Sequence, residues 1–196
     1  MAITINGTGS ITGLTAGGLP DGSITTDDLA ANAVTAAKIA SDAAPATSLA
    51  VISDHKPDQT KGGTFTSGAW QTRDLNTEDF DPDGIVSISS NDFILIPGTY
   101  LIHWECPAFF VNRHQTRLYN VTDSEVVEYG MCLISGSNAN STDPSIGSVV
   151  VTITANTTFR LQHRCSTTRA DDGFGPGGYF AADGERYSRV TLWKVA

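Results

Sequence analysis

The chain has 196 residues, 40% of them hydrophobic and 17% charged, a balance that excludes an intrinsically disordered protein and allows one well-cored domain plus an extended segment, or two small domains. The formal net charge is −9, and no cluster of Lys and Arg matches what a phosphate backbone requires, so nucleic acid is not expected as a partner. Plentiful Gly, Thr and Ser, with Val and Ile in short runs, favour strands and turns over long helices.

The start, Met1-Ala2-Ile3-Thr4-Ile5, lacks a basic n-region and an apolar h-region, so no signal peptide is expected. No apolar run approaches the ~20 residues that span a bilayer, so no membrane insertion is expected either. Residues 1–60 contain no Phe, Trp or Tyr and are rich in Ala, Thr, Gly, Ser and Asp. Aromatics carry much of the burial in a globular core, so this segment has no private core and must pack on another surface or on copies of itself. It holds a ten-residue pattern, [Ile/Val]-Thr-x-x-[Asp/Lys]-[Leu/Ile]-Ala-x-x-Ala, used twice, from Ile24 to Ala33 and from Val34 to Ala43. Each Thr can cap a short helical turn. The five-residue spacing of Ile24, Leu29, Val34 and Ile39 fits neither a continuous helix nor a strand, and points to short helical turns that stack on association. A solvated linker is the alternative. In an attachment arm, Ile3, Ile5, Ile11, Leu14, Leu19 and Leu29 are the side chains available for burial, at ~1.5–3 kcal/mol for each one fully buried. The first forty residues, MAITINGTGSITGLTAGGLPDGSITTDDLAANAVTAAKIA, resemble the N-terminal segments of phage tail-fibre and related virion proteins.

Residues 61–196 alternate strand-like runs with turn signals. Runs are expected at Phe65–Leu75, Ile85–Ile88, Phe93–Ile96, Tyr100–Cys106, Thr116–Val121, Val126–Ile134, Val149–Ile153, Thr158–Cys165 and Arg189–Val195. Turns are expected at Asp81–Gly84, Pro97-Gly98, Asn120–Asp123 and Ser137-Asn138. Eight or more short strands at this spacing predict an all-β fold, an antiparallel β-sandwich of jelly-roll type, with Trp104 and Cys106 on one face. The stretch Phe93-Ile94-Leu95-Ile96-Pro97-Gly98-Thr99-Tyr100-Leu101-Ile102-His103-Trp104 resembles the signature of the complement globular-head and tumour-necrosis-factor jelly rolls, one residue short between Phe93 and Gly98 and with Ile102 in place of the usual Phe. That resemblance implies a compact homotrimer in which the closing strand, Arg189–Val195, runs through the middle of the inner sheet. Gly62–Thr77 and Arg113–Asp123 also resemble C-terminal domains of phage fibre proteins.

Asp79, Asp81 and Asp83 match the first half of a calcium loop, but Ser90 stands where a bidentate Glu is required and Pro82 stiffens the turn; the alternative is an acidic surface turn. Gly173–Gly178 spells GxGxxG without the strand and helix that a dinucleotide site needs, and is expected to be a flexible exposed loop. No HExxH, GxSxG or spaced metal triad occurs, so neither catalysis nor a cofactor is expected. Cys106, Cys132 and Cys165 are odd in number and form no CxxC pair, which fits reduced core residues; a disulfide between two of them stays open. Arg113, His114 and Arg169 lie near turns and are candidates for a recognition surface or for salt bridges between subunits.

Three placements follow. The first is a capsid decoration, or cement, protein, assembled in the host cytoplasm, whose arm spreads on the major capsid protein and whose knob projects from the virion surface and aids host attachment through a surface glycan. The second is a short tail fibre or receptor-binding tip held by a tail adaptor. The third is a non-viral lectin-like binding module. A fibre shaft needs many repeats, and only two are present, which favours the cement protein.

Overall fold

The computed structural model describes residues 48–136, 141–178, 180 and 184–195. The twelve described strands are β1 (Ser48–Lys56), β2 (Gln71–Thr72), β3 (Thr77–Phe80), β4 (Val86–Ser89), β5 (Asp92–Leu95), β6 (Gly98–Cys106), β7 (Asn112–Asn120), β8 (Glu125–Tyr129), β9 (Leu133–Ser135), β10 (Ser145–Ile153), β11 (Thr157–Cys165) and β12 (Glu185–Lys194). They form two antiparallel sheets. One runs β10-β6-β12-β1-β3; the other runs β4-β5-β11-β7-β8, with β2 added to β11 and β9 to β7. The fold is therefore the expected all-β sandwich, and β12 does run through the middle of its sheet. The arm residues Ile3, Ile5, Ile11, Leu14, Leu19 and Leu29, the ten-residue repeat and the Ser137-Asn138 turn lie outside the described residues.

Period-two alternation builds the core. Along β6 the inward residues Tyr100, Ile102, Trp104 and Cys106 are all buried, and Leu101, His103 and Glu105 between them face outward. Opposite them β5, β7 and β11 contribute Phe93, Leu95, Leu118, Phe159 and Leu161. The Trp104 indole N–H donates to Thr116 Oγ1 on β7 at 2.8 Å, and Thr116 Oγ1 lies 2.8 Å from Ser145 Oγ, which donates to the Met131 carbonyl at 2.7 Å. This chain satisfies the polar edge of the largest buried side chain, as a buried N–H requires. Gly147 leaves room for that indole, since a Cβ there would lie 2.1 Å from Trp104 Cζ2.

Several local expectations are revised. The sandwich starts upstream of residue 61: β1 pairs with β12 and β3 and buries Ala50 and Ile52. It carries no aromatic side chain because the facing strands supply the bulk. Pro97-Gly98 does not join two paired strands. It carries the chain from β5 in one sheet to β6 in the other, and Gly98 takes a φ of 155° there. The run Val126–Ile134 breaks into β8 and β9 where the Gly130 and Met131 backbone N–H groups donate to the Thr116 and Ile146 carbonyls. A Cβ on Gly130 would lie 2.1 Å from Thr116 Oγ1, so this approach needs glycine. Phe65–Leu75 is an isolated bridge at Phe65 and then β2, interrupted by a bend at Gly68 with φ 98°. The strands β3 and β4 flank the Asp81–Gly84 turn, and Asn120 Oδ1 accepts from the Asp123 N–H at 3.1 Å in the expected β7–β8 turn.

Candidate functional site

Adjacent residues on a strand face opposite sides of the sheet, and this separates two sites on β7 and β11. Inward go His114, Thr116 and Leu118 from β7, and Phe159, Leu161, His163 and Cys165 from β11. Outward go Arg113, Gln115, Arg117 and Tyr119, and opposite them Arg160, Gln162 and Arg164. The register pairs Arg160 with Tyr119, Gln162 with Arg117 and Arg164 with Gln115, while the Ser166 N–H donates to the Arg113 carbonyl at 2.9 Å. Four of the twelve cationic side chains of this acidic protein thus stand on one two-stranded stripe.

Two of the four are committed locally. Arg160 makes a bidentate pair with Asp92 on β5, at 2.6 and 2.7 Å. Arg117 donates to Gln162 Oε1 at 2.8 Å and lays its guanidinium 4.3 Å from the ring centre of Trp70. Trp70 reaches that position because β2, which begins one residue later, pairs with the other side of β11. Arg113 and Arg164 are exposed and have no side-chain partner among the described residues. They line a groove of about 470 Å³ together with Trp70, Ser67, Gln115 and Ser166, which His114, Cys132 and Cys165 also border. Among the described residues no Asp or Glu lines it. The chemistry available is donor-rich: two free guanidinium forks, a serine hydroxyl and an aromatic flank.

On the inner side of the same strands lies a buried polar cluster. His114 Nδ1 and His163 Nε2 are 3.0 Å apart, so one donates and the other accepts. His114 Nε2 and His163 Nδ1 are buried with no partner among the described residues. Burial pushes His114 down to about 4, against the opposing charge of Asp143. Burial also lowers His163 well below its ordinary value, assisted by Arg73 and His114. Both rings are neutral at pH 7. The His163 ring packs 4.7 Å from Phe65, in the second apolar cluster with Ala108, Val111 and Cys165. Arg73 is fully buried beside it. Its guanidinium lies 4.2 Å from the Phe174 ring centre and donates to Ser188 Oγ (2.7 Å), the Phe174 carbonyl (3.1 Å) and the Pro107 carbonyl (3.3 Å). Burial lowers its pKa.

The sequence-derived candidates scatter. Arg113 is exposed and lines the groove. His114 is 2% exposed and faces inward, so it is not an exposed recognition residue. Arg169 does not line the groove; it pairs with Asp172 and packs over Phe109 and Phe110 within its own chain. The Arg169 bond holds the Asp172 carboxyl below its ordinary value. Gln115 and Arg164 also line the groove, and the alternation Arg113-x-Gln115-x-Arg117 and Arg160-x-Gln162-x-Arg164 marks both; no local pattern marks Trp70, which the β2–β11 pairing brings there.

The calcium candidates are committed elsewhere. Asp79 bonds Arg186, and although burial opposes ionisation, that bond and one to Ser53 keep its carboxyl below the ordinary value. Asp81 caps its own turn, accepting from the Ile85 and Val86 N–H groups at 3.0 and 2.9 Å, and Asp83 is exposed. Among the described residues no group of three or more His, Cys, Asp or Glu is placed to hold a metal ion. Gly173–Gly178 is not a free loop. Gly173 and Gly175 are buried, the Phe109 N–H donates to the Gly173 carbonyl and the Gly62 N–H to the Gly175 carbonyl, both at 3.0 Å. All three cysteines are free thiols, but Cys132 is exposed and is no core residue.

No protein-family model matches the chain, and no curated protein matches it. Among solved structures it is similar to murine APRIL at pH 5.0, with a TM-score of 0.51 and 8% identity over 75% of this chain and 98% of that one. The globular domain of zebrafish complement 1qA protein gives 0.49 at 12% identity, covering 76% and 98%. PRD1 vertex protein P5 gives 0.48 at 12% identity over the same shares. At these identities the likeness to APRIL speaks for the fold alone.

Proposed function

We propose that this chain is a non-catalytic structural protein of a phage particle, a trimeric capsid decoration protein whose N-terminal arm anchors on the shell and whose sandwich projects outward. The observation that carries the trimer is the outer face of the five-stranded sheet. Val150, Leu101, Trp193 and Leu49 lie in register across β10, β6, β12 and β1, and Val51 and Phe80 extend the patch at its edge. All of them are partly or largely solvent-accessible, with Val150 63% exposed. A contiguous apolar face on a net-acidic chain is what a protomer buries against its neighbours, and the jelly-roll resemblance supplies the three-fold arrangement. The particle assignment rests on the resemblance of the first forty residues to virion proteins, and multivalent arms would make weak shell contacts collectively strong.

Sedimentation of the full chain tests the trimer: wild type runs as a trimer, and Trp193→Glu or Leu101→Glu runs as a monomer. A monomeric wild type removes the proposal. Deleting residues 1–45, which spares β1, leaves a trimeric sandwich that no longer decorates particles; decoration without the arm contradicts the anchoring role. Copy number on purified particles separates the placements. Hundreds of copies mean cement, and a few to a few dozen mean a short tail fibre or receptor-binding tip. That second placement is favoured by the open basic groove on the opposite sheet. Absence from particles together with glycan binding points to a lectin-like module.

A further inference from the structure

The groove beside Trp70 stands out because its charge runs against that of the protein. The chain carries −9, yet among the described residues the groove has two cations and no carboxylate in its lining. Ion pairs on the described surface take up Lys56 with Asp54 and Asp74, Arg160 with Asp92, Arg169 with Asp172 and Arg186 with Asp79, and neither groove arginine is in one. Arg113 and Arg164 are left open, on neighbouring strands, on one face, two register positions apart. Exposed, unpaired guanidinium groups that share a concavity present forks matched to a planar anion.

The rest of the lining narrows the class of ligand. Gln115 Nε2 donates to the Gly130 carbonyl at 3.0 Å, which fixes the side chain and leaves Oε1 as an acceptor. Ser166 Oγ accepts from the Arg113 N–H at 3.0 Å, which leaves its hydroxyl proton to donate. Trp70 is held by Arg117 and lies 6.1 Å from the Tyr129 ring, so it forms a fixed apolar flank. At about 470 Å³ the space is far too large for a bare anion and lies within the range of small-ligand clefts, ~300–1,000 Å³. An anionic group, hydroxyls that both donate and accept, and a ring with an apolar face together describe an acidic sugar. Two open cations do not make the many phosphate contacts on which nucleic-acid affinity depends.

We propose that this groove binds a carboxylate-bearing sugar of an acidic saccharide, with Arg113 and Arg164 on the carboxylate, Gln115 and Ser166 on hydroxyls, and Trp70 against the ring. The site lies on the seven-stranded sheet, on the side of the sandwich away from the apolar face of the five-stranded one, so trimerisation leaves it open. The inference deepens the surface-protein proposal and rests on it only for the groove facing outward from a particle.

The test uses the full chain and isothermal titration with an oligogalacturonate, a neutral oligosaccharide of equal length, a sugar phosphate, inorganic phosphate and an oligothymidylate. The expected result is saturable binding of the oligogalacturonate and none of the neutral sugar. Arg113→Gln/Arg164→Gln lowers affinity at least about tenfold, which corresponds to about 1.4 kcal/mol, and Trp70→Ala weakens it as well. Arg113→Lys/Arg164→Lys keeps the charge but loses the fork, and also binds more weakly. These side chains stand on the surface, so the variants should keep the wild-type melting curve and sedimentation. The inference is overturned if wild type ignores the oligogalacturonate, if the glutamine variant binds it unchanged, or if the lysine variant binds as wild type does. It is also overturned if the sugar phosphate, phosphate or oligothymidylate binds more tightly. A trimer that fails to bind refutes the groove and leaves the trimer standing; a monomer that binds does the reverse.

Discussion

Lowering the pH from about 7.5 to about 5 should destabilise the sandwich through the buried histidine pair. Burial depresses both imidazoles, so the folded chain refuses protons that the unfolded chain accepts. Stability is therefore full above the ordinary imidazole value of 6.5 and falls as the pH drops through it, levelling off only near the folded value. With His114 at about 4 when folded, linkage removes about 2 kcal/mol by about pH 5 from this residue alone. His163 adds a further loss of the same sign, because burial, assisted by Arg73 and His114, disfavours its charged form. Asp172 and Asp79, which their Arg partners hold low, lose stability only below the ordinary carboxylate range and do not contribute in this window. Asp54, raised by burial against the pull of Lys56, acts in the opposite direction as it takes up its proton. For a domain of this size 2 kcal/mol corresponds to a melting temperature lower by about 4–8 °C. Differential scanning calorimetry of the full chain at fixed concentration measures it, with His114→Gln as the comparison. A melting temperature that stays level over this range, or an equal fall in His114→Gln, refutes the reasoning.

Other outcomes follow from the packing. Gly147→Ala forces a methyl into the Trp104 indole and should lower the urea midpoint by an amount equivalent to about 1–3 kcal/mol, with the denaturant slope unchanged. Arg73→Met leaves the Phe174 and Pro107 carbonyls without their buried donor and should cost at least about 2 kcal/mol in urea unfolding, with faster proteolysis around Gly173. Burial pushes the Cys106 and Cys165 thiols up to about 11, while Cys132 is exposed, so intact-mass analysis after brief alkylation of the native protein should find one modified thiol per chain.

Much of the sandwich could be read from local order, because inward and outward alternation is a property of each strand by itself. Tyr100, Ile102, Trp104 and Cys106 declare a buried face, and Arg160, Gln162 and Arg164 an open one, before any partner strand is known. The same rule separates Arg113 from His114: neighbours in sequence, one is exposed and the other buried, so the two do not form a single recognition patch. What no local pattern contains is which strands become neighbours. Arg113 meets Ser166, and Trp70 lies over Arg117, through β7–β11 and β2–β11 pairings that span dozens of residues. Val150, Leu101, Trp193 and Leu49 become one apolar row only through the order β10-β6-β12-β1. The sequence determined the sides of the strands; the tertiary structure alone decided the groove and the apolar face, because both are made of residues brought together by long-range hydrogen-bonded register.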